Sequence, residues 1–358
     1  MLKVVHIVSS FSLGGVQTGI LYSMSDLRKN FDYKIIAFDA DERWLKDIPE
    51  DVRKNILIIG SSNLLIGSIK ALRLLKKIKP DVIVASLWKA SPVSVTYKFL
   101  NSKVKLVGFY HQNGIIHLAE RFFLWLLAKV QDLMFADSTA TKIFIEKEMP
   151  VKSEIVTIPY LFDFTVSPKT KLFYPTNIKL AYFGRLTQVK RIDRMIEFCR
   201  LCKEAGINFK FDIYGKGDIE KYNKAIVDNN LQDKIFICAQ LPLDKVQETM
   251  KDYDFLLQLS DIEGMALSVV EALSCGLVPI VTPVGEMKNY TKDMNNAIWL
   301  YPEFDRNLEQ LLHSFKKVVC SPGIYNQMSL NAIHTFDDYP KYSVEFKKGI
   351  LKLTNKQN

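Results

Sequence analysis

Cysteine is scarce. The chain has five among 358 residues, at Cys199, Cys202, Cys238, Cys275 and Cys320. An odd, scattered set excludes a disulfide framework. Cys199 and Cys202 form a CxxC inside a helical pattern, with no second Cys or His pair nearby, so no zinc site is expected. Long apolar runs are missing as well. The longest, Phe122 to Ala128, is closed off by Arg121 and Lys129, far short of the ~20 residues that cross a bilayer. The apolar start Val4–Val8 runs straight into Ser, Gly and Gln, unlike a secretory leader. These absences place the expected location in the cytoplasm. A GxGxxG string is lacking after the first apolar segment, which removes the main support for a nicotinamide cofactor.

What is present is a soluble-protein composition, 48% hydrophobic and 24% charged, with a net charge of +9. That charge suggests an anionic partner: nucleic acid, an acidic membrane surface or a phosphorylated ligand. Residues 1–165 hold 22 Lys and Arg against 16 Asp and Glu, and the remainder hold 26 against 23, so the first part carries +6 and the second +3.

Short β-branched runs alternate with helix-period segments. The strand candidates are Lys3–Ser10, Tyr33–Phe38, Ile56–Ile59, Val82–Leu87, Lys105–Tyr110, Leu133–Ala136 and Ile155–Ile158 in the first half. Those of the second are Ile178–Phe183, Phe209–Tyr214, Lys234–Cys238, Phe255–Leu259, Val278–Thr282 and Ala297–Leu300. Amphipathic stretches such as Leu64–Ile78, Arg191–Lys203 and Leu267–Ser274 lie between them. The alternation predicts an α/β protein with parallel sheets covered on both faces. Thirteen strands exceed one such sheet, so two doubly wound domains are expected, 1–165 and 166–340, parting in the proline-marked stretch Pro159–Asn177. The basic helical segment 341–358 is expected to pack back on the first domain.

In open α/β sheets, ligands bind at the carboxyl ends of strands, so the loops there carry the candidates. Gly14 and Gly15, in Ser12-Leu13-Gly14-Gly15-Val16-Gln17, would let backbone N–H groups approach an anion at a helix start, or simply make a tight turn. Arg185 and Lys190, after Phe183-Gly184, are cations suited to a diphosphate, or a solvated basic turn. Gly215 lies in Tyr214-Gly215-Lys216-Gly217-Asp218. The strongest block is Asp261-Ile262-Glu263-Gly264-Met265-Ala266-Leu267-Ser268-Val269-Val270-Glu271. There Glu263 precedes a helix expected to begin near Met265, and Glu271 stands two turns down it among apolar neighbours, where an acid needs a donor. Vicinal ribose hydroxyls would supply two. His111 follows a first-half strand and could polarise a reacting group or be a satisfied structural histidine. His6, His117, His313 and His334 read as structural. The strings Asp39-Ala40-Asp41 and Asp252-Tyr253-Asp254 read as structural too, so no metal is expected.

Together, GGVQ, GRLTQVKR, YGKGD and EGMALSVVEALSCG with its E-x7-E spacing resemble the family 4 glycosyltransferases, in order over nearly the whole chain. The resemblance implies the GT-B fold, with two Rossmann-like domains facing across a cleft. It implies retaining, metal-independent transfer of a hexose from a nucleotide-diphospho sugar, UDP- or GDP-linked, to a cell-surface glycan or glycolipid. Lipopolysaccharide and capsule are the expected classes of product. On this analogy domain 1–165 is the acceptor side and 166–340 binds the donor. His111, Arg185, Lys190 and Glu263 would be the catalytic set. Gly14, Gly15, Gly215, Gly264, Met265, Ala266, Leu267 and Glu271 would bind the donor. Cys238-Ala239-Gln240-Leu241, Lys190-Arg191 and Gly264-Met265-Ala266 depart from the family's usual glycines.

The alternatives are a GT-B epimerase or phosphorylase, and a non-enzymatic anion-binding protein. Nucleic acid is not an expected partner, because no recognition-helix or zinc pattern is present. Ile115–Leu133 reads as core packing, or as a stretch lying on an anionic headgroup surface at the inner face of the membrane.

Overall fold

The computed structural model describes residues 1–12, 14–46, 48–111, 118–162, 173, 175–301 and 307–355. The chain divides into two units, Met1–Asp163 with Pro340–Asn358, and Phe164–Tyr339.

The first unit is built on a seven-stranded parallel sheet: β1 (Lys3–Val8), β2 (Asp32–Ala37), β3 (Ile56–Ile58), β4 (Val82–Ser86), β5 (Lys105–Tyr110), β6 (Leu133–Ala136) and β7 (Ile155–Thr157). Their order is β3-β2-β1-β4-β5-β6-β7. β1 and β4 are almost uninterrupted apolar runs because both sheet faces are covered, and β1 stays buried from Val4 onward. Right-handed crossovers put the helices Leu64–Ile78, Ala90–Leu100 and Leu118–Val130 side by side on one face, and Gly15–Asn30 on the other. Asn63 caps the first of these by accepting from the N–H groups of Leu65 and Ile66.

The helix Tyr342–Asn355 also packs in this unit, beside Gly15–Asn30. The N–H of Tyr342 donates to Leu161 O at 2.8 Å. Tyr342, Phe346 and Ile350 are fully buried. Gly349 permits the approach, since a Cβ there would stand 2.6 Å from the Phe135 ring.

The second unit holds six parallel strands: β8 (Ile178–Phe183), β9 (Phe209–Tyr214), β10 (Ile235–Cys238), β11 (Phe255–Gln258), β12 (Val278–Val281) and β13 (Ile298–Trp299). They are ordered β10-β9-β8-β11-β12-β13. Its core joins Leu180, Phe211, Phe255 and Ile280 of the sheet to Phe198, Phe315 and Tyr325 of the covering helices. All thirteen expected strands are present, each end within two residues of its reading. The fold class is therefore α/β with two doubly wound Rossmann-like units.

Candidate functional site

In each sheet the strand order reverses once, at β1/β4 and at β8/β11. Connections leave such a point in opposite directions, which opens a crevice at the carboxyl ends of the two strands. In the second unit this point brings the Arg185–Lys190 loop beside the Asp261–Ala266 loop.

Several bonds tie these loops together. The N–H of Asp261 donates to Val189 O at 2.9 Å. Arg194 donates to Asp261 Oδ1 at 2.6 Å and to Leu259 O at 2.7 Å. Arg191, at φ 53° between a short 3-10 turn and the helix Ile192–Glu204, bridges Asp193 and Asp261. Both carboxyls titrate below their ordinary values. Burial opposes that shift; it is overcome at Asp193 by the Arg191 guanidinium with help from backbone N–H groups, and at Asp261 by the Arg194 and Arg191 guanidinium groups.

The tie sets Lys190 against Glu263. Lys190 Nζ lies 2.7 Å from both Oε1 and Oε2, and the two side chains are only 19% and 7% exposed. Gln258, the polar last residue of β11, donates to Glu263 Oε1 at 2.5 Å and to Ser260 Oγ at 2.9 Å. Ser268 donates to Gln258 Oε1 at 3.3 Å. These supporting residues were missed from the sequence. Their one signal was a glutamine closing an otherwise apolar strand.

The helix of the E-x7-E block begins at Leu267 rather than near Met265. Ala266 stands before it in the left-handed region, at φ 53° and ψ 69°. Gly264 O accepts from Glu286 N at 3.0 Å, and Met265 O accepts from Tyr290 Oη at 2.6 Å. A trans peptide holds its N–H opposite its C=O. The N–H groups of Met265 and Ala266 are thus turned away from residues 286–290, and neither finds an acceptor among the described residues. Two open donors therefore stand at the start of the helix Leu267–Cys275, an arrangement suited to an anion. Gly285, at φ 60°, makes the backing turn possible, because a Cβ there would stand 2.1 Å from Glu263 O. Glu271 is buried, and Gln247 Nε2 approaches its Oε1 at 3.5 Å.

Gly215 has a reason within the protein. The loops after β8 and β9 run as a continued ladder, with Gly184 N donating to Tyr214 O at 3.0 Å and Leu186 N to Lys216 O at 2.7 Å. A Cβ on Gly215 would fall 1.9 Å from Gly184 O. Arg185 is exposed, and no carboxylate pairs with its guanidinium among the described residues.

In the first unit, Gly14 is extended at φ −175° and Gly15 is not at positive φ, so neither occupies the left-handed region. Beyond its own helix, no atom of the described residues lies within 4 Å of where a Cβ on Gly15 would stand. His111 is held on both sides, with Nε2 2.9 Å from Ser86 Oγ and Nδ1 3.1 Å from Tyr160 Oη. Burial, and then the neighbouring His6, drive its pKa well below the ordinary value. Asp254 caps the β8 backbone through Lys179 N at 2.9 Å, while Asp39 O and Asp41 N bracket Phe11. Among the described residues no group of three or more His, Cys, Asp or Glu could hold an ion. Leu13, Gln112, Asn113, Ile115, Ile116, His117 and Pro168, which the expected motifs and linker include, lie outside the described residues.

Residues 163–335 match the family model described as "Glycosyl transferases group 1". The amylovoran biosynthesis glycosyltransferase AmsK of Erwinia amylovora is 30% identical over 135 residues, 36% of this chain and 33% of that protein. The chain thus spans about a third of the length of that relative. The crystal structure of HepE of Anabaena in complex with UDP and glucose superposes with a TM-score of 0.82 at 16% identity, covering 99% of this chain and 100% of that one. TarM superposes with a TM-score of 0.81 at 14% identity, over 99% of each chain. These likenesses show the fold, which is that of the GT-B glycosyltransferases.

Proposed function

We propose that the chain is a retaining, metal-independent glycosyltransferase of family 4. It moves a hexose from a UDP- or GDP-linked sugar to a growing cell-surface glycan or glycolipid. The observation that carries this reading is the crevice at β8/β11. The buried Lys190–Glu263 pair, the exposed Arg185 and the open N–H groups of Met265 and Ala266 stand there together.

The chemistry follows from charge. As the glycosyl–phosphate C–O bond breaks, its electron pair passes to the diphosphate oxygen. Lys190, Arg185 and the helix-start N–H groups stabilise that oxygen where its charge develops, the task a metal performs in other transferases. The acceptor hydroxyl attacks the anomeric carbon on the face the diphosphate leaves, and its proton passes to the departing phosphate oxygen. Glu263 orients Lys190 and accepts from a sugar hydroxyl. Glu271, with Gln247 beside it, accepts from the ribose hydroxyls. HepE, crystallised with UDP and glucose, lends support to this donor class.

The test is a thermal-shift screen against nucleoside diphosphates and nucleotide-sugars, followed by transfer assays with the donor found. A ligand held only by the folded state raises Tm by mass action. A flat response to every UDP and GDP compound would sink the reading.

The acceptor side is proposed to meet an anionic membrane. The helices Leu64–Ile78, Ala90–Leu100 and Leu118–Val130 carry seven basic residues and one acid, Glu120, which is buried. Their outer side exposes Leu65, Ile66, Phe99, Leu100, Phe122 and Trp125. The Lys129 ammonium sits 3.7 Å from the Trp125 ring centroid. Leu124, Leu127 and Ala128 of the same helix are buried, so the stretch is core on one side and surface on the other. No helix is long and apolar enough to cross a membrane among the described residues. The expected outcome is flotation with phosphatidylglycerol vesicles at low salt and none with phosphatidylcholine, lost in Phe122→Asp/Trp125→Asp.

A further inference from the structure

Buried polar groups around His111 in the first unit form one hydrogen-bonded chain. His6 sits in the middle of β1, fully buried between Val5 and Ile7. Its Nδ1 lies 2.6 Å from Tyr33 Oη, and its Nε2 lies 2.6 Å from Ser86 Oγ. Ser86, the last residue of β4 and also fully buried, is 2.9 Å from His111 Nε2. His111 Nδ1 then faces Tyr160 Oη at 3.1 Å and Asp137 Oδ2 at 3.8 Å. The two imidazoles stand on opposite sides of one hydroxyl, His6 on β1 and His111 just past β5, with Ser86 of β4 between them.

Proton counting restricts this chain. Burial keeps both rings neutral, with His6 lowered to about 3. A neutral imidazole has one N–H and one acceptor nitrogen, and a serine hydroxyl has one proton. Ser86 therefore donates to one histidine and accepts from the other, and the chain points one way at a time. In one direction Tyr33 donates to His6 Nδ1, His6 Nε2–H to Ser86, Ser86 to His111 Nε2, and His111 Nδ1–H faces Tyr160 and Asp137. The opposite direction would turn the bare Nδ1 lone pair of His111 toward the Asp137 carboxylate. The carboxylate favours the first direction.

We propose that Ser86 and His6 are positioning residues that fix His111 as the Nδ1–H tautomer, with its Nε2 accepting from Ser86. A histidine inside an apolar strand is costly unless each polar atom is paired, and here each is. The apolar residues around it in β1 would pack a leucine at position 6 without that requirement. The stacked Phe109 and Phe346 rings, with centroids 6.2 and 6.4 Å from His6, hold its plane. The functional weight of the proposal rests on the reading that His111 takes part in sugar transfer.

The experiment is long-range 1H–15N correlation on 15N-histidine-labelled protein, which separates the two neutral tautomers by their nitrogen shifts. The wild type is expected to show His111 as Nδ1–H. Ser86→Ala should mix the tautomers and lower kcat about tenfold, with the donor KM within twofold. Ser86→Thr should restore both. His6→Phe, which keeps the ring stack, should give an intermediate mixture. If Ser86→Ala does not fold, as judged by circular dichroism, His6→Phe carries the test. An Nε2–H wild type overturns the proposal, and so do unchanged tautomer signals in the folded variants. The spectra need no substrate, so a protein that transfers no sugar would overturn the functional reading while leaving the tautomer assignment to be decided separately.

Discussion

In the proposed site, the Lys190–Glu263 pair would serve both stability and chemistry. Removing Lys190 leaves a buried carboxylate with Gln258 as its remaining donor, and an unsatisfied buried group costs about 1–3 kcal/mol. Lys190→Ala should therefore lower unfolding free energy by that order and cut transfer at least tenfold. Lys190→Ala/Glu263→Gln should regain most of the stability, because the charge and the cation leave together, and none of the transfer. Recovery of both would make the pair a packing device only. Ala266 gives a second residue-scale expectation. Its left-handed backbone costs about 1–2 kcal/mol for an L side chain. A glycine there relieves that strain and gives back about 0.4–1 kcal/mol in unfolded-chain entropy. Ala266→Gly should stabilise by about 0.5–1 kcal/mol in urea unfolding. A loss of stability would mean that the methyl group packs against something essential.

At the scale of elements, the loops after β8 and β9 behave as one unit. Gly215→Ala would press a methyl group onto Gly184 O and force the two backbones apart. Overpacking of this kind costs about 1–3 kcal/mol, and the displacement would move Arg185 as well. Reduced Tm together with a raised donor KM is expected, and a neutral variant would show that the ladder is not needed. The same elements show what was legible beforehand. The strands were, because β-branched runs between turn residues report burial on both sheet faces. The positions of Arg185, Lys190 and Glu263 after strands followed from the strands themselves. The partnership of Lys190 with Glu263 was not legible, since the two lie 73 residues apart and only the reversal at β8/β11 joins them. Gly215 reads as room for a ligand from the sequence, and the backbone neighbour it also accommodates, Gly184, was not legible there. His6 was read as structural. That reading described its burial and missed the serine 80 residues away that links it to His111.

Across the whole first unit, the buried histidines set a limit on acid stability. In the folded chain His6 stays neutral down to about pH 3, through burial, and His111 is likewise held well below its ordinary value. In the unfolded chain both take up a proton below about pH 6.5. Below that pH the unfolded state binds more protons, so stability is fully present above it and is lost as pH falls. Each histidine contributes a slope of about 1.4 kcal/mol per pH unit, or about 2 kcal/mol between pH 6.5 and pH 5. Carboxylates of the salt-bridged second unit, such as Asp193 and Asp261, titrate lower and add their loss nearer pH 4. The window from pH 6.5 to 5 therefore isolates the histidines. Urea unfolding of His6→Phe, followed by a probe in the first unit, should show a pH 7 to pH 5 difference about 2 kcal/mol smaller than in the wild type. His111 would supply what remains of the slope. Equal slopes in the two proteins would mean that His6 is protonated in the native state, and its Nδ1–H would then have to donate to Tyr33 Oη rather than accept from it.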